Sequence, residues 1–428
     1  MSRRTPPPLP RLSRGFLALL LCAVILPVAA QTDYDFGGHT KYQFIYIDVP
    51  GNSIFEPYLG SGAADTNLEA RLKFSARKSR WDFKLDYQFI ASYSDTLQLA
   101  RRFPDSAQRP SGIVSDQRRW WNLTYSSGGD GKTALIHRLD RVSIGYTTDH
   151  TVLRFGRQAI SWGNGMIYTP MDIFNPFDPA AVDKEYKTGD DMLYGQYLFD
   201  NGNDLQAVAV IRRDPLTGDV ESGQRSTALK YHGFQGQNEY DLLAAEHYGD
   251  LVLGAGGVAS IGGAIWRGDL TWTRTDNDDV FSVATSLSYS WIWAGRNVSG
   301  LIEYYFNGFG QKNSAYSPDD LILNPDLLRR LERGELFTLA RNYLAASATV
   351  EMNPLLLVTP NLFINLEDPS ALAQLVVQYN WQQNLVILGS LNIPVGPDGS
   401  EYGGTESFIE DLYFSTGASI FIQLAWYF

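Results

Sequence analysis

The chain has 428 residues, with 47 Asp and Glu against 35 Lys and Arg, and 13% of it is aromatic. A formal charge of −12 argues against nucleic acid as a partner, because an acidic surface repels phosphate. Its one cysteine, Cys22, excludes a disulfide framework and a cysteine metal site.

At the N-terminus, Arg3, Arg4, Arg11 and Arg14 precede an apolar run from Phe16 to Ala30 that ends in small residues. That order reads as a secretory signal peptide over 1–30, cleaved after Ala30. The run is shorter than the roughly 20 apolar residues a spanning helix needs. Removal takes four Arg, no acid and Cys22, so 31 bases face 47 acids at a charge of −16.

From 31 to 428 the expectation is one domain of alternating apolar and polar residues. HTKYQFIYID places Tyr42, Phe44 and Tyr46 on one face of a first strand. Over 67–78, Leu68, Ala70, Leu72, Phe74 and Ala76 oppose Glu69, Arg71, Lys73 and Arg77, and 81–93 repeats the pattern. Period-two alternation is the strand signal, and a charged face opposite an apolar one suits a barrel wall. Residues 101–117 read as a loop. Strands are expected at 118–127, 135–147 and 150–158, then at 192–200, 204–213, 225–233, 238–248, 250–261, 262–275, 279–293 and 296–307. Residues 308–336 read as a long outer loop, with a helix start at Ser317-Pro318 and a stop near Gly334. Alternation resumes at 340–352, 354–364, 371–381 and 383–394, then near 407–414 and at 416–428. The fold class is therefore all-β: a transmembrane antiparallel β-barrel of about 16–18 strands, an even number, with an inward-folded loop.

That loop is the block around 161–190, where the alternation stops. Gly156, Gly163 and Gly165 permit tight turns, and Pro170, Pro176 and Pro179 withhold ladder donors. Trp162, Phe174 and Phe177 need burial, which the lumen offers and a free outer loop does not. As a constriction or plug, the block contributes Asp172, Asp178, Asp183 and Glu185, with Lys184 and Lys187 beside them. Strand parity sends Arg71, Lys73, Lys84, Arg154, Arg212, Lys230 and Arg267 inward, with Asp82, Asp86, Asp269 and Glu303, and Arg157 is assigned to the same constriction. Acids facing bases across a pore produce a transverse field, and rings of charge set ion selectivity. Taken singly, each charge is also what any solvated lumen surface would carry.

The five His (His39, His137, His150, His232 and His247) lack metal-ligand spacing. Ser143 and His137 lie about 20 Å apart along one strand. No enzyme, metal or other cofactor is expected.

With the leader, the amphipathic hairpins and the terminal Phe428, the chain from 31 on resembles Gram-negative outer-membrane porin-type barrels. Ile420, Ile422, Leu424, Trp426 and Phe428 resemble the terminal strand read by the barrel assembly machinery. Gly156-Arg157-Gln158, Ser161-Trp162-Gly163 and Asn175-Pro176-Phe177-Asp178-Pro179 resemble a short motif of alginate-export-type barrels. The resemblance implies the outer membrane, with its lipids and that machinery as partners. The reading is passive diffusion of small hydrophilic solutes through a charged constriction. A dedicated saccharide export or uptake channel is one alternative, and a non-conducting barrel that binds through its outer loops is another.

Overall fold

The computed structural model describes residues 32–102, 115–128 and 131–428. The expected signal peptide lies outside the described residues, as does most of the loop expected at 101–117.

The first strands are β1 (Asp33–Asp48), β2 (Gly62–Lys78), β3 (Trp81–Ser94), β4 (Thr124–Ser127), β5 (Thr133–Thr147) and β6 (Thr151–Gln158). After a 31-residue interruption come β7 (Asp190–Leu198), β8 (Asp204–Val210), β9 (Ser226–Gln235), β10 (Asn238–His247) and β11 (Asp250–Ile261). There follow β12 (Ala264–Arg274), β13 (Asp279–Trp293) and β14 (Arg296–Phe306). The last are β15 (Asn342–Asn353), β16 (Leu356–Asn365), β17 (Ser370–Gln382), β18 (Leu385–Val395), the two-residue β19 (Thr405–Glu406) and β20 (Tyr413–Phe414), and β21 (Ser419–Tyr427). Every pairing in the wall is antiparallel, and β1 pairs with both β2 and β21, which closes the sheet. The wall holds 18 strand positions. β4 and β6 occupy one position between them, because both lie on the same side of β5, β4 along 135–138 and β6 along 142–147.

The expected strand at 118–127 thus forms a ladder only over its last four residues, with Arg119 making an isolated bridge to Arg212. The strand expected near 407–414 supplies only the small β19–β20 ribbon, outside the wall. The other expected strands fall within a few residues of those found.

Short turns such as 79–80, 262–263 and 294–295 lie at the end that carries both chain termini. The long connections, 49–61, 95–132, 159–189, 211–225, 307–341 and 396–418, lie at the other. Short periplasmic turns and long outer loops are the pattern of outer-membrane barrels. The faces are inverted relative to a water-soluble protein. Tyr42, Tyr46, Leu68, Leu72 and Leu153 are exposed, while His39, Lys41 and Arg71 beside them are buried. Exposed apolar side chains suit hydrocarbon, and the polar set faces inward.

Two irregularities set the site. The register slips by one residue between Asp86 and Tyr87 opposite β5, which makes Asp140 an extra residue. Such a bulge re-aims its neighbours, so Asp140 and Arg141 both serve the inner face. At Gly156, φ is +130°, and a Cβ there would strike the Val142 carbonyl and stand 2.8 Å from Ser143 Cα. Only glycine lets β6 lie this close to β5.

The 307–341 connection contains helices at Pro318–Ile322 and Pro325–Arg333. Ser317 accepts from the Asp320 amide at the first, and Gly334, with φ of +68°, ends the second. Both signals are the ones the sequence carries there.

Candidate functional site: one segment held from two sides of the wall

Residues 159–189 contain no regular element, and side chains of the wall hold their backbone. On β12 and β14, two carboxylates replace the ladder partners the segment lacks. Asp269 accepts from the amides of Asn164 (2.7 Å) and Gly165 (3.0 Å) and from Asn164 Nδ2 (2.9 Å). Glu303 accepts from the amides of Met166 (2.8 Å), Ile167 (3.1 Å) and Tyr168 (2.6 Å). Asp241 on β10 takes the second Asn164 Nδ2 hydrogen at 3.0 Å. Three prolines and several turns leave these amides without partners of their own, and a buried unpaired amide costs about 1–3 kcal/mol.

The other end of the segment meets β1, β2 and β21, across the closed sheet from β10 and β12 in strand order. Lys41 Nζ lies 2.6 Å from Asp183 and 2.8 Å from Glu185. Tyr427 donates its hydroxyl to Glu185 at 2.8 Å. The Tyr186 ring sits under the Arg71 guanidinium (4.1 Å to the centroid) and the Lys73 ammonium (4.7 Å), a cation–π arrangement. Arg71, Arg138 and Arg141 converge on Asp140, at 2.7, 2.8 and 2.8 Å. Arg141 also donates to the carbonyl of Lys187.

Between these ends the segment is packed. Trp162, Met171 and Phe174 join Met192, Tyr194, Val208, Val210 and Leu243 in one apolar cluster on β7–β10. Trp162 Nε1 donates to Gln206 at 2.8 Å. Lys187 lies 2.6 Å from both Asp172 oxygens and donates to the Ile160 carbonyl at 2.7 Å. Burial drives the Asp172 carboxyl up to about 6, against the pull of the Lys187 charge. Gln374 on β17 donates to the Ala180 carbonyl at 2.8 Å.

The residues singled out from sequence divide as follows. Arg71, Lys73, Asp183 and Glu185 come together around Tyr186. Asp172 meets Lys187 rather than an arginine of the wall. Asp178 is exposed and receives the Ala180 amide at 2.8 Å. Lys84 is exposed, on a residue of β3 paired with Ser143 of β5. Arg154 stands opposite Tyr194 in register, and Arg267 donates to Ser288 at 3.0 Å. Arg212 is buried against Asp190 (2.7 Å) and Ser226 (2.7 Å), away from the Tyr186 group.

Arg157 makes its contacts outside the Tyr186 group. It follows Gly156 on the strand face shared with exposed Leu153 and Phe155, opposite Arg154. It is 0% exposed because residues 115–123 cover it. Its guanidinium binds Asp191 (2.8 Å), Asp116 (2.8 Å) and the Trp121 carbonyl (2.6 Å). Of the residues around 156–179, Trp162 belongs to the apolar cluster and Asn175 donates to Asp190 at 3.0 Å.

Lys41, Arg138, Arg141, Asp140 and Asp241 are additional members. Lys41 was accessible to parity, since it opposes Tyr42 and Tyr46. The bulge that turns Arg141 inward has no signal in the alternation.

No family model matches the chain, and no curated protein does. Among solved structures, it is similar to OccAB4 of Acinetobacter baumannii, with a TM-score of 0.53 and 7% identity over 93% of this chain and 98% of that one. It is also similar to OpdQ of Pseudomonas aeruginosa, with a TM-score of 0.52 and 9% identity over 92% and 99%. A BenF-like porin from Pseudomonas fluorescens Pf-5 gives 0.51 and 9% over 92% and 98%. Identity this low speaks for the fold alone, and the chain has the 18-stranded barrel fold of these outer-membrane porins.

Proposed function

We propose that residues 159–189 cross the lumen as a charged constriction, and that the chain is an outer-membrane channel for passive diffusion of small hydrophilic solutes. One observation carries this reading: a single segment is bonded to Lys41 and Tyr427 at one end and to Asp269 and Glu303 at the other, on opposite sides of a closed wall. A segment can touch both sides of a barrel by passing through it. Arg71, Lys73, Arg138 and Arg141 then border one side of the pore and Asp241, Asp269 and Glu303 the other. Each side also carries partners of the opposite sign, Asp140, Asp183 and Glu185 on the first and Lys230 on the second, so the lining of this constriction is of mixed charge. Outer-membrane lipid is the solvent of the exposed apolar face. The terminal strand ending at Phe428 is what the barrel assembly machinery would engage.

A saccharide channel would offer accessible rings in a row. Tyr168, Tyr305 and Tyr343 do stack, with 4.7 Å between the first two, but they are 3%, 3% and 0% exposed. Their faces are occupied by one another. Catalysis is not part of the reading either. Ser226 Oγ lies 2.9 Å from His247 Nδ1, and His247 Nε2 lies 3.2 Å from Glu335. The serine is nevertheless 0% exposed and accepts from Arg212, so no acyl group reaches it. A non-conducting barrel is favoured by one feature, the apolar clusters around Trp162 and Tyr168 that fill part of the interior.

Single-channel conductance of the refolded protein in a planar bilayer decides between these. The channel reading expects stepwise conductance, with a larger step when residues 161–190 are deleted. Silence from both proteins would sink it. Conductance from the deletion alone would make the segment a plug.

A further inference from the structure

Between the segment and the 307–341 connection, against β11–β13, lies a crevice of about 740 Å³ including its open mouth. Its lining is unlike the rest of the inner face. Ile173 and Phe177 come from the segment, Phe309, Leu336 and Phe337 from the outer connection, and Thr271 and Thr273 from β12. Phe337 is 40% exposed. Leaving apolar surface in water costs about 25 cal/mol per Å², and here the surface is gathered on facing sides of one gap.

The charges at its rim are already neutralised. Asp172 holds Lys187, Arg330 lies 2.7 Å from Asp250, and Arg333 lies 3.9 Å from Glu335. The Arg330 guanidinium is further covered by the Phe309 ring at 3.8 Å. A charged solute entering here would shed its hydration and find no free counter-charge. Among the described residues, the hydroxyls of Thr271 and Thr273 have no hydrogen-bond partner, and they stand two residues apart on one face of β12.

We infer that this crevice is a binding site for small uncharged aromatic solutes that carry hydroxyl groups. The ring lies between Phe177 and Phe337, and its hydroxyl bonds to Thr271 or Thr273. The inference rests on the channel reading for the route that brings the solute in, and it narrows the solute class.

The test uses the full refolded protein and 4-hydroxybenzyl alcohol as probe, with benzoate and mannitol as comparators. Titration calorimetry in detergent micelles runs beside single-channel recording. The expected result is saturable binding of the alcohol and concentration-dependent interruption of the current. Neither comparator should match it, and Phe337→Ala should weaken both effects about tenfold. Phe337 is partly exposed, so its truncation leaves the barrel folded. Thr271→Val, which keeps the shape and removes the hydroxyl, is the second variant and should favour toluene over the alcohol relative to wild type. If benzoate binds as tightly as the alcohol, the uncharged class is wrong. If mannitol does, the rings are not what is recognised. Conductance without interruption or calorimetric binding overturns the site and leaves the channel standing. Binding that Phe337→Ala weakens, in a protein that does not conduct, keeps the site and overturns the channel.

Discussion

Arg157 illustrates how little a residue type says without its face. Arginine beside a pore reads as selectivity, yet this guanidinium makes a forked bond to Asp191, a second to Asp116 and a third to the Trp121 carbonyl. All of them are away from Arg154 and the inner face. Removing one partner of a buried ion pair leaves the other uncompensated, at about 3–5 kcal/mol. Arg157→Ala should therefore lower the free energy of unfolding from lipid vesicles, measured by urea titration, by that order. Arg157→Lys should recover little, because an ammonium cannot reproduce the fork. The reversal potential under a salt gradient should stay where it is in both variants. A shift in ion selectivity without loss of stability would return Arg157 to the pore.

Among the elements, the two outer connections 307–341 and 396–418 are joined through Glu401. It accepts from the Leu339 amide (2.8 Å), Tyr343 Oη (2.5 Å) and Asn365 Nδ2 (2.7 Å). Burial, the largest cause, raises its carboxyl from 4.5 to about 7. The folded state then binds this proton more tightly than the unfolded chain does. Its contribution to stability is present below pH 4.5, is lost as pH rises to about 7, and is constant above. Amide exchange in 396–418 and 307–341 should quicken across that window beyond the intrinsic base catalysis, and Glu401→Gln should abolish the excess. An unchanged excess in the variant would remove Glu401 from the account.

The same scale shows what could be read in advance. Strands at 250–261 and 279–293 were legible to the residue, because lipid on one side and water on the other enforce a strict period of two. The helix stop at Gly334 was legible as well, since backbone geometry demands that residue type. Where a single pairing decides, the alternation is mute. Nothing in 118–127 announces that only its last four residues form a ladder. Nothing at 140–141 announces an extra residue, and parity carried past that point misplaces every side chain it is applied to. The acids of the segment stand out in the sequence by charge, but their partners do not. Asp172 chose Lys187, 15 positions away in its own segment, over any arginine of the wall.

For the whole molecule, the anchoring of the 159–189 segment to the wall is the property that matters. Lys41 is the contact on which the basic side holds the segment, 2% exposed and shared by Asp183 and Glu185. Lys41→Met leaves two carboxylates facing an apolar group and should cost about 1–3 kcal/mol. It should also lower the temperature at which the folded band disappears in semi-native electrophoresis. Larger or noisier single-channel currents should accompany that loss if the segment is the gate. Quiet currents of wild-type size would place the gate elsewhere.

Glu185 touches Lys41 of the first strand and Tyr427 of the last, at the line where the barrel is sewn shut. The middle of the polypeptide thus inspects the meeting of its two ends. A barrel that zips up with this segment still outside has a seam without its clasp. The clasp predicts an order of assembly, with the segment tucked in before β1 and β21 are joined. Variants that loosen the clasp should accumulate as unclosed, protease-sensitive barrels during insertion, rather than as closed barrels that later fall apart.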